Sequence, residues 1–374
     1  MFICFVWCRW QIFPTLFLPD TSAHGLDYHY LSRTGAWRLD GQFVYSDLDL
    51  VGSGGGGFFD LEYTPRQGMK YLFEYTHFDR KVDLNDAGFL RRNDITGGRI
   101  GTEWIKSGFS RFRDLTVETF LRYQENLDGY AIRSGVGGSG EFTLNNLHRV
   151  EVELRYFPER YDDRNSFGNG TYRINDRPSV EIGYSTNDAL AFSGWAYSGW
   201  RGDGVDGQIL ESGIGVSWRP VDRLNFELNT TYLVRDGWLL HQGGQNMTAF
   251  DSEEWQPELS MDFFMTARQE LRLGLQWVGI KAVEDRFYRV PDQPGDLIEV
   301  DKPNEESDDF NVSALNFQVR YRWQIAPLSD VFVVYTRNGF DTTPDSSFQQ
   351  LFRNAWNDPL GEQLVLKLRY RVGS

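Results

Sequence analysis

The side chains that most often do chemistry are thinly spread in this chain of 374 residues. Its five histidines, His24, His29, His77, His148 and His241, follow no common spacing. His77 stands two residues before Asp79, and such a pair beside a serine or an activated water is the least a hydrolytic site needs. Neither a Gly-x-Ser-x-Gly elbow nor a His-Glu-x-x-His motif accompanies it. His77 therefore reads first as a polar residue at the mouth of a loop, and catalysis is not favoured. The two cysteines, Cys4 and Cys8, offer no disulfide framework and no zinc spacing. Residues 281–309 are acidic, with Glu284, Asp285, Asp292, Asp296, Glu299, Asp301, Glu305, Glu306, Asp308 and Asp309. Carboxylates suit Ca²⁺ or Mg²⁺, yet the spacing matches no calcium loop. A solvated acidic loop is the plainer reading, and neither metal nor cofactor is expected. The glycine-rich run 52–57 lacks the Lys-Ser or Lys-Thr of a phosphate loop and reads as a flexible connection.

The charges that do show a pattern alternate with apolar residues. Glu62, Glu74, Glu118, Glu151, Glu153, Glu181, Glu227, Glu258 and Asp262 form one set, mostly from the earlier chain. Arg272, Arg320, Arg322, Lys367, Arg369 and Arg371 form another, from the later chain. If both sets face one lumen, they make an acidic and a basic wall with a transverse field that orients dipolar solutes. The competing reading is a ladder of cross-strand ion pairs that fills and stiffens the interior.

The elements that must position these charges are strands. Trp37, Leu39, Phe43 and Tyr45 alternate with Arg38, Asp40, Gln42 and Ser46. Phe317, Val319, Tyr321 and Trp323 alternate with Gln318, Arg320 and Arg322. A period of two is the strand signature, because successive side chains leave opposite faces. Short turns at 33–35, 65–68, 106–111, 145–146, 187–188, 220–222, 268–269 and 326–328 take turns with mostly longer polar loops. Those loops fall near 47–57, 79–94, 125–135, 158–177, 201–207, 235–254, 281–309 and 338–361. A soluble sandwich has no reason to sort its loops by end, whereas a transmembrane barrel has tight turns at one rim and long loops at the other. Aromatic residues sort as well. Tyr63, Trp104, Tyr184, Trp218 and Trp323 adjoin the short turns, and Tyr45, Tyr75, Tyr123, Tyr156, Tyr232, Trp277 and Tyr335 lie towards the loops. Two such girdles mark the headgroup layers. The expected fold is an all-β, antiparallel transmembrane β-barrel of about eighteen strands.

Composition agrees with that reading. Aromatic residues make up 16% of the chain while its mean hydropathy is only -0.47. No run of some 18 clean apolar residues provides a spanning helix. A net charge of -15 argues against a nucleic-acid partner. Within 338–361, Phe348, Leu351, Phe352, Ala355 and Trp356 follow helical spacing. Asp345, Ser346 or Ser347 is placed to cap the start of this helix and Pro359 to follow its end. Such a helix either folds inward as a lid or lies on the rim over the last strands. Residues 1–22 are atypical. They do not alternate, and no Lys or Arg precedes Arg9 as an export signal requires. The expectation is a start lying further upstream, with the barrel occupying 23–374 and incomplete on its N-terminal side.

The loop from His77-Phe78-Asp79 to Asn85-Asp86-Ala87-Gly88-Phe89-Leu90-Arg91-Arg92-Asn93-Asp94 resembles one in domain of unknown function family 5916. So do the hairpin from Tyr321 to Asp330 and the ending Leu366-Lys367-Leu368-Arg369-Tyr370-Arg371. The resemblance covers 26–374 and implies an outer-membrane barrel. Members often carry an N-terminal module similar to carbohydrate-binding family 9, absent from these residues, and some are labelled hydrolases. Three functions follow as expectations: a passive or gated conduit for small polar solutes, a membrane anchor for an upstream carbohydrate-binding-like module with a plugged lumen, and, more weakly, a barrel-rim hydrolase. The expected partners are outer-membrane lipid, the outer-membrane insertion machinery and an unidentified small polar solute.

Overall fold

A computed structural model describes residues 2–6, 21–48, 52–84, 90–302, 305–344 and 346–372, without side chains for 2–6 and 21. Positions 7–20, 85–89 and Asp345 therefore lie outside the described residues. Among these residues no helix is long and apolar enough to cross a membrane. The chain is all-β and antiparallel, and it divides into two compact units. The first comprises Met1–Phe142, Glu153–Arg164 and Thr171–Pro178; the second comprises Thr143–Val152, Asn165–Gly170 and Ser179–Ser374.

The first unit is a meander of β1 (Phe2–Val6), β2 (Thr21–Leu31), β3 (Trp37–Leu48), β4 (Gly52–Arg66), β5 (Met69–Phe78), β6 (Ile95–Ser107) and β7 (Phe112–Glu125), each antiparallel to the next. It continues into β8 (Ala131–Leu144) and β9 (Arg149–Phe157). A small hairpin follows, β10 (Arg160–Asp162) against β11 (Tyr172–Ile174). The strand Phe2–Val6 lies in the segment whose apolar residues run together, where alternation gave no sign of a strand.

The glycine run is also strand rather than flexible loop. Gly52 to Gly57 pair in register with Leu48 to Phe43. The physical reason is close approach: a Cβ on Gly54 would strike the Val82 backbone, and one on Gly56 would strike Phe78. Glycine usually weakens a strand interior. Here it lets the 79–84 segment fold onto the sheet, where Phe78, Val82, Ile95 and Ile132 form a buried apolar cluster.

The second unit runs β12 (Arg177–Ser185), β13 (Phe192–Gly202), β14 (Gln208–Val221), β15 (Leu224–Gly243), β16 (Asn246–Thr266) and β17 (Gln269–Arg289). After the short β18 (Gly295–Asp296) and β19 (Ile298–Val300) come β20 (Phe310–Ala326), β21 (Ser329–Asp341), α1 (Phe348–Asn357) and β22 (Pro359–Arg369). The long strands pair antiparallel in chain order, with β20 against β17. The expected polar loop at 235–254 is instead a hairpin, Gly243 pairing Asn246 at its tip. Strands β15 to β17, of 20 or 21 residues, reach about 70 Å at 3.4 Å per residue, well beyond a ~25 Å apolar band. Strand β22 pairs β21 antiparallel, from Asp330 opposite Arg369 to Asn338 opposite Gly361.

Helix α1 begins where expected. The Ser347 hydroxyl accepts from the Gln350 amide at 3.3 Å, and the Gln350 side chain accepts from the Ser347 amide at 2.8 Å. This capping box satisfies two donors that the first turn leaves open. Leu351 and Ala355 are fully buried against Trp277 and Leu315.

Candidate functional site

Strand parity divides each unit's side chains into two populations. On one parity stand exposed apolar and aromatic residues: Tyr71, Phe73 and Tyr75 on β5, Leu121 and Tyr123 on β7, Leu364, Leu366 and Leu368 on β22. Near the short turns Trp37 stacks on Tyr63 at 4.1 Å and Trp218 on Phe226 at 5.6 Å. Trp104, Tyr184, Trp218 and Trp323 are exposed there, as are Tyr45, Tyr75, Tyr123, Tyr156 and Tyr232 towards the other end. Trp277 departs from the expected girdle because α1 covers it. The helix lies on the face shared by Leu271, Leu273 and Leu275, opposite in parity to Arg272 and Gln276. Its Phe348, Phe352 and Trp356 close over Trp277 and Phe317.

The other parity is charged. In the first unit successive cross-strand partners run His29, Asp40, Asp60, Glu74, Arg99, Arg122. The row passes from three carboxylates to two guanidiniums. Arg99 bridges the two signs, its Nη1 lying 3.0 Å from Glu74. Glu62 lies 3.9 Å from Arg38, Glu118 faces Glu103, and Glu153 pairs with Arg155. In the second unit Glu181 faces Gly199, Glu227 accepts from Asn225, and Glu258 accepts from Gln276 at 2.9 Å. Asp262 holds Arg272 at 3.1 Å, and Arg272 also pairs with Glu270. Arg320 faces Arg272, and Lys367 faces Phe332. Arg322 and Arg369 both clamp the fully buried Asp330. The Arg371 amide donates to Ser329, and the exposed Glu151 packs its Cβ near Gly183. Several of the proposed wall charges are thus ion-paired locally, as a ladder requires.

The remaining chemical candidates are structural in their contacts. His77 Nε2 is 3.9 Å from Asp79, beyond hydrogen-bond reach, and it shares the parity of Tyr71, Phe73 and Tyr75. Asp79 instead accepts the Gly55 amide at 2.9 Å. In the acidic segment Glu284 pairs with Lys302 and accepts the Asp308 amide, while Asp309 accepts the Glu284 amide. Carboxylate oxygens of Asp236, Asp251 and Asp285 converge within 4.8 Å. Arg286 already supplies their counter-charge through Asp236 and Asp285.

The most unusual chemistry lies in the first unit. A cavity of about 510 Å³ is lined by Arg99, Arg122, Arg133, Arg155, Arg160 and Arg177 together with Phe120, Phe157, Ile132 and Ser134. A neighbouring cavity of about 870 Å³ shares Ile132 and Arg133 and adds Arg91, Arg92 and Arg164. Glycine makes room for the first: a Cβ on Gly135 would lie 2.6 Å from the Phe157 ring, and one on Gly137 2.9 Å from Phe120. The rings in turn support the guanidiniums. Arg99 and Arg122 lie 5.4 and 5.9 Å from the Phe120 centroid, and Arg177 lies 5.7 Å from that of Phe157. Like charges directly opposed, as Arg99 and Arg122 are, weaken a sheet. A position that breaks a local rule without local gain is a functional candidate. In the adjoining connection, burial and then the charges of Arg177 and Arg133 push Arg160 down to about 10, so it is still a cation at neutral pH. Asp163 is half-buried, and burial alone would raise it; hydrogen bonds from Arg92 and Asn126 hold it below the usual 3.8. That tie, at 2.6 Å from Arg92, anchors the loop over the larger cavity.

An antiparallel sheet with one exposed aromatic face and one ion-paired face is the strand class of outer-membrane β-barrel proteins. The chain belongs to the domain of unknown function family DUF5916, which it matches over residues 17–372. A comparison with curated proteins finds no match. Among solved structures the chain is similar to OccK10 (OpdN) of Pseudomonas aeruginosa, at 10% identity and TM-score 0.40, covering 95% of this chain and 93% of that one. It is also similar to the siderophore receptor PirA from Acinetobacter baumannii, at 9% identity and TM-score 0.46, covering 94% and 70%. A third is the outer-membrane expressed OmpT of Vibrio cholerae, at 10% identity and TM-score 0.33, covering 83% and 90%.

Proposed function

We propose that the chain is an outer-membrane conduit for small polar solutes, its charged parity facing water and its apolar parity facing lipid. The observation that carries this reading is the separation itself. Exposed tyrosines and leucines stand on one parity of β5 and β7, and Glu74, Arg99 and Arg122 stand on the other. Charged residues are costly on a lipid face, and a row of them in half-exposed positions needs water. The acidic and basic residues named from the sequence would then supply the lumenal field, softened wherever they pair. Insertion into the membrane would draw on the outer-membrane insertion machinery, as for other barrels of this class.

Single-channel recording tests the reading. Protein extracted folded from its native membrane and added to a planar bilayer is expected to give steady, stepwise currents. Silence from a demonstrably folded preparation would overturn the conduit and leave the anchor reading in its place.

A further inference from the structure

We propose that the arginine recess of the first unit binds small solutes bearing two or more anionic oxygen groups, carboxylate or phosphate. This rests on the conduit reading only for how a solute arrives.

Six arginines line the recess and no carboxylate does, in a chain whose net charge is -15. Arg99 and Arg155 have carboxylate partners, Glu74 and Glu153. Arg122, Arg133 and Arg160 form no ion pair among the described residues, so the recess carries uncompensated positive charge. Two further groups lack partners. Ser134 is only 7% exposed, and its hydroxyl makes no hydrogen bond; the buried Nε of Arg99 makes none either. Buried polar atoms are rarely left open, and each one invites an account. A ligand with acceptor oxygens supplies one.

Guanidinium is the side chain whose fork matches carboxylate and phosphate oxygens in a bidentate way. Phe120 and Phe157 hold three of these guanidiniums by their faces, which leaves the donor edges directed elsewhere. One negative charge is too few for cations spread over several strands, and about 510 Å³ suits a molecule of small-metabolite size. An extended polyanion such as nucleic acid is disfavoured by the overall negative charge.

Titration calorimetry on the folded, detergent-solubilised protein tests the proposal without using conductance. Citrate and inorganic phosphate are the probes, with acetate and glucose as comparators. Saturable binding of citrate or phosphate is expected, with acetate weaker by about tenfold or more and glucose silent, since tenfold in affinity is about 1.4 kcal/mol and a second hydrogen bond to a charged group contributes at least that much. Which of citrate and phosphate binds more tightly distinguishes a carboxylate ligand from a phosphate one. Arg133→Gln is expected to weaken binding about tenfold, and Ser134→Ala by a smaller factor. Arg160→Lys keeps the charge but removes the fork, and serves if Arg133→Gln loses the heat-dependent gel mobility of a folded barrel. Acetate binding as tightly as citrate, or citrate binding unaltered in every folded variant, would overturn the site. A protein that binds citrate yet passes no current would keep the site and lose the conduit; one that conducts without binding would do the reverse.

Discussion

Replacing Arg122 and Arg133 together by glutamate is expected to shift the ion preference of the proposed conduit strongly towards cations. Each change moves the recess by two charges, so the pair moves it by about four, in a wall where no carboxylate now lines the cavity. Charge rings set selectivity in pores because field lines concentrate where water is confined between low-dielectric walls. Reversal potential in a KCl gradient reads the result directly: it should move towards the potassium potential, and the change should shrink at high salt as screening shortens to a few ångströms. The corresponding exchange at Arg320 and Arg322 is a poorer lever. Arg322 is already neutralised by Asp330 at 3.0 Å, and a glutamate there would meet a buried carboxylate. Unchanged selectivity in a folded Arg122→Glu, Arg133→Glu protein would remove the recess from the permeation path.

Leu351→Ala is the second large effect. Leu351 is fully buried between α1 and the Trp277–Leu315 pair, and its carbonyl accepts the Ser313 hydroxyl at 2.9 Å. Truncating a fully packed leucine costs about 2–5 kcal/mol, and Leu351 is one of only two fully buried side chains on this ten-residue helix. Its backbone also rests on Gly339, where any Cβ would strike the Ala355 carbonyl. The expected result is a sharp rise in amide exchange across 348–357 and a red shift of Trp277 emission as the ring meets solvent. Conductance should stay as it was, because the helix covers the apolar parity. A larger conductance in this variant would mean that the helix does close the pore, contrary to its placement.

Much of the fold was legible because alternation and turns are local signals. Trp37 to Tyr45 and Phe317 to Trp323 lie in strands, and the turns at 33–35 and 326–328 fall between paired strands. The helix was legible from five spaced apolar residues, with Ser347 as its cap among three serine and aspartate candidates. What failed rests on long-range geometry. Glycine runs read as loops by composition, yet residues 52–57 form strand because a neighbouring segment must approach their backbone. Polar composition hid the outer thirds of β15 and β16, where Met247, Ala249 and Phe250 are buried. The recess escaped for a similar reason. Arg99, Arg122, Arg133 and Arg155 are far apart in sequence, and only the register of β6 against β7 sets Arg99 opposite Arg122. Pairing the two strands about the turn at 106–111 would have exposed that like-charge contact. Sorting charges by early and late chain instead gave weight to Arg272, Arg322 and Arg369, which carry their own carboxylate partners.

The central claim is that one strand parity meets lipid and the other meets water. Nitroxide scanning along Leu271 to Gln276 of β17, in protein reconstituted into bilayers, tests it most directly. Labels at 271 and 273, away from the contact of Leu275 with the α1 cluster, are expected to relax with oxygen, which concentrates in lipid. Labels at 272, 274 and 276 are expected to relax with a water-soluble nickel reagent, giving a period of two. Uniform exposure to the nickel reagent at all these positions, or the opposite phase, would contradict the account.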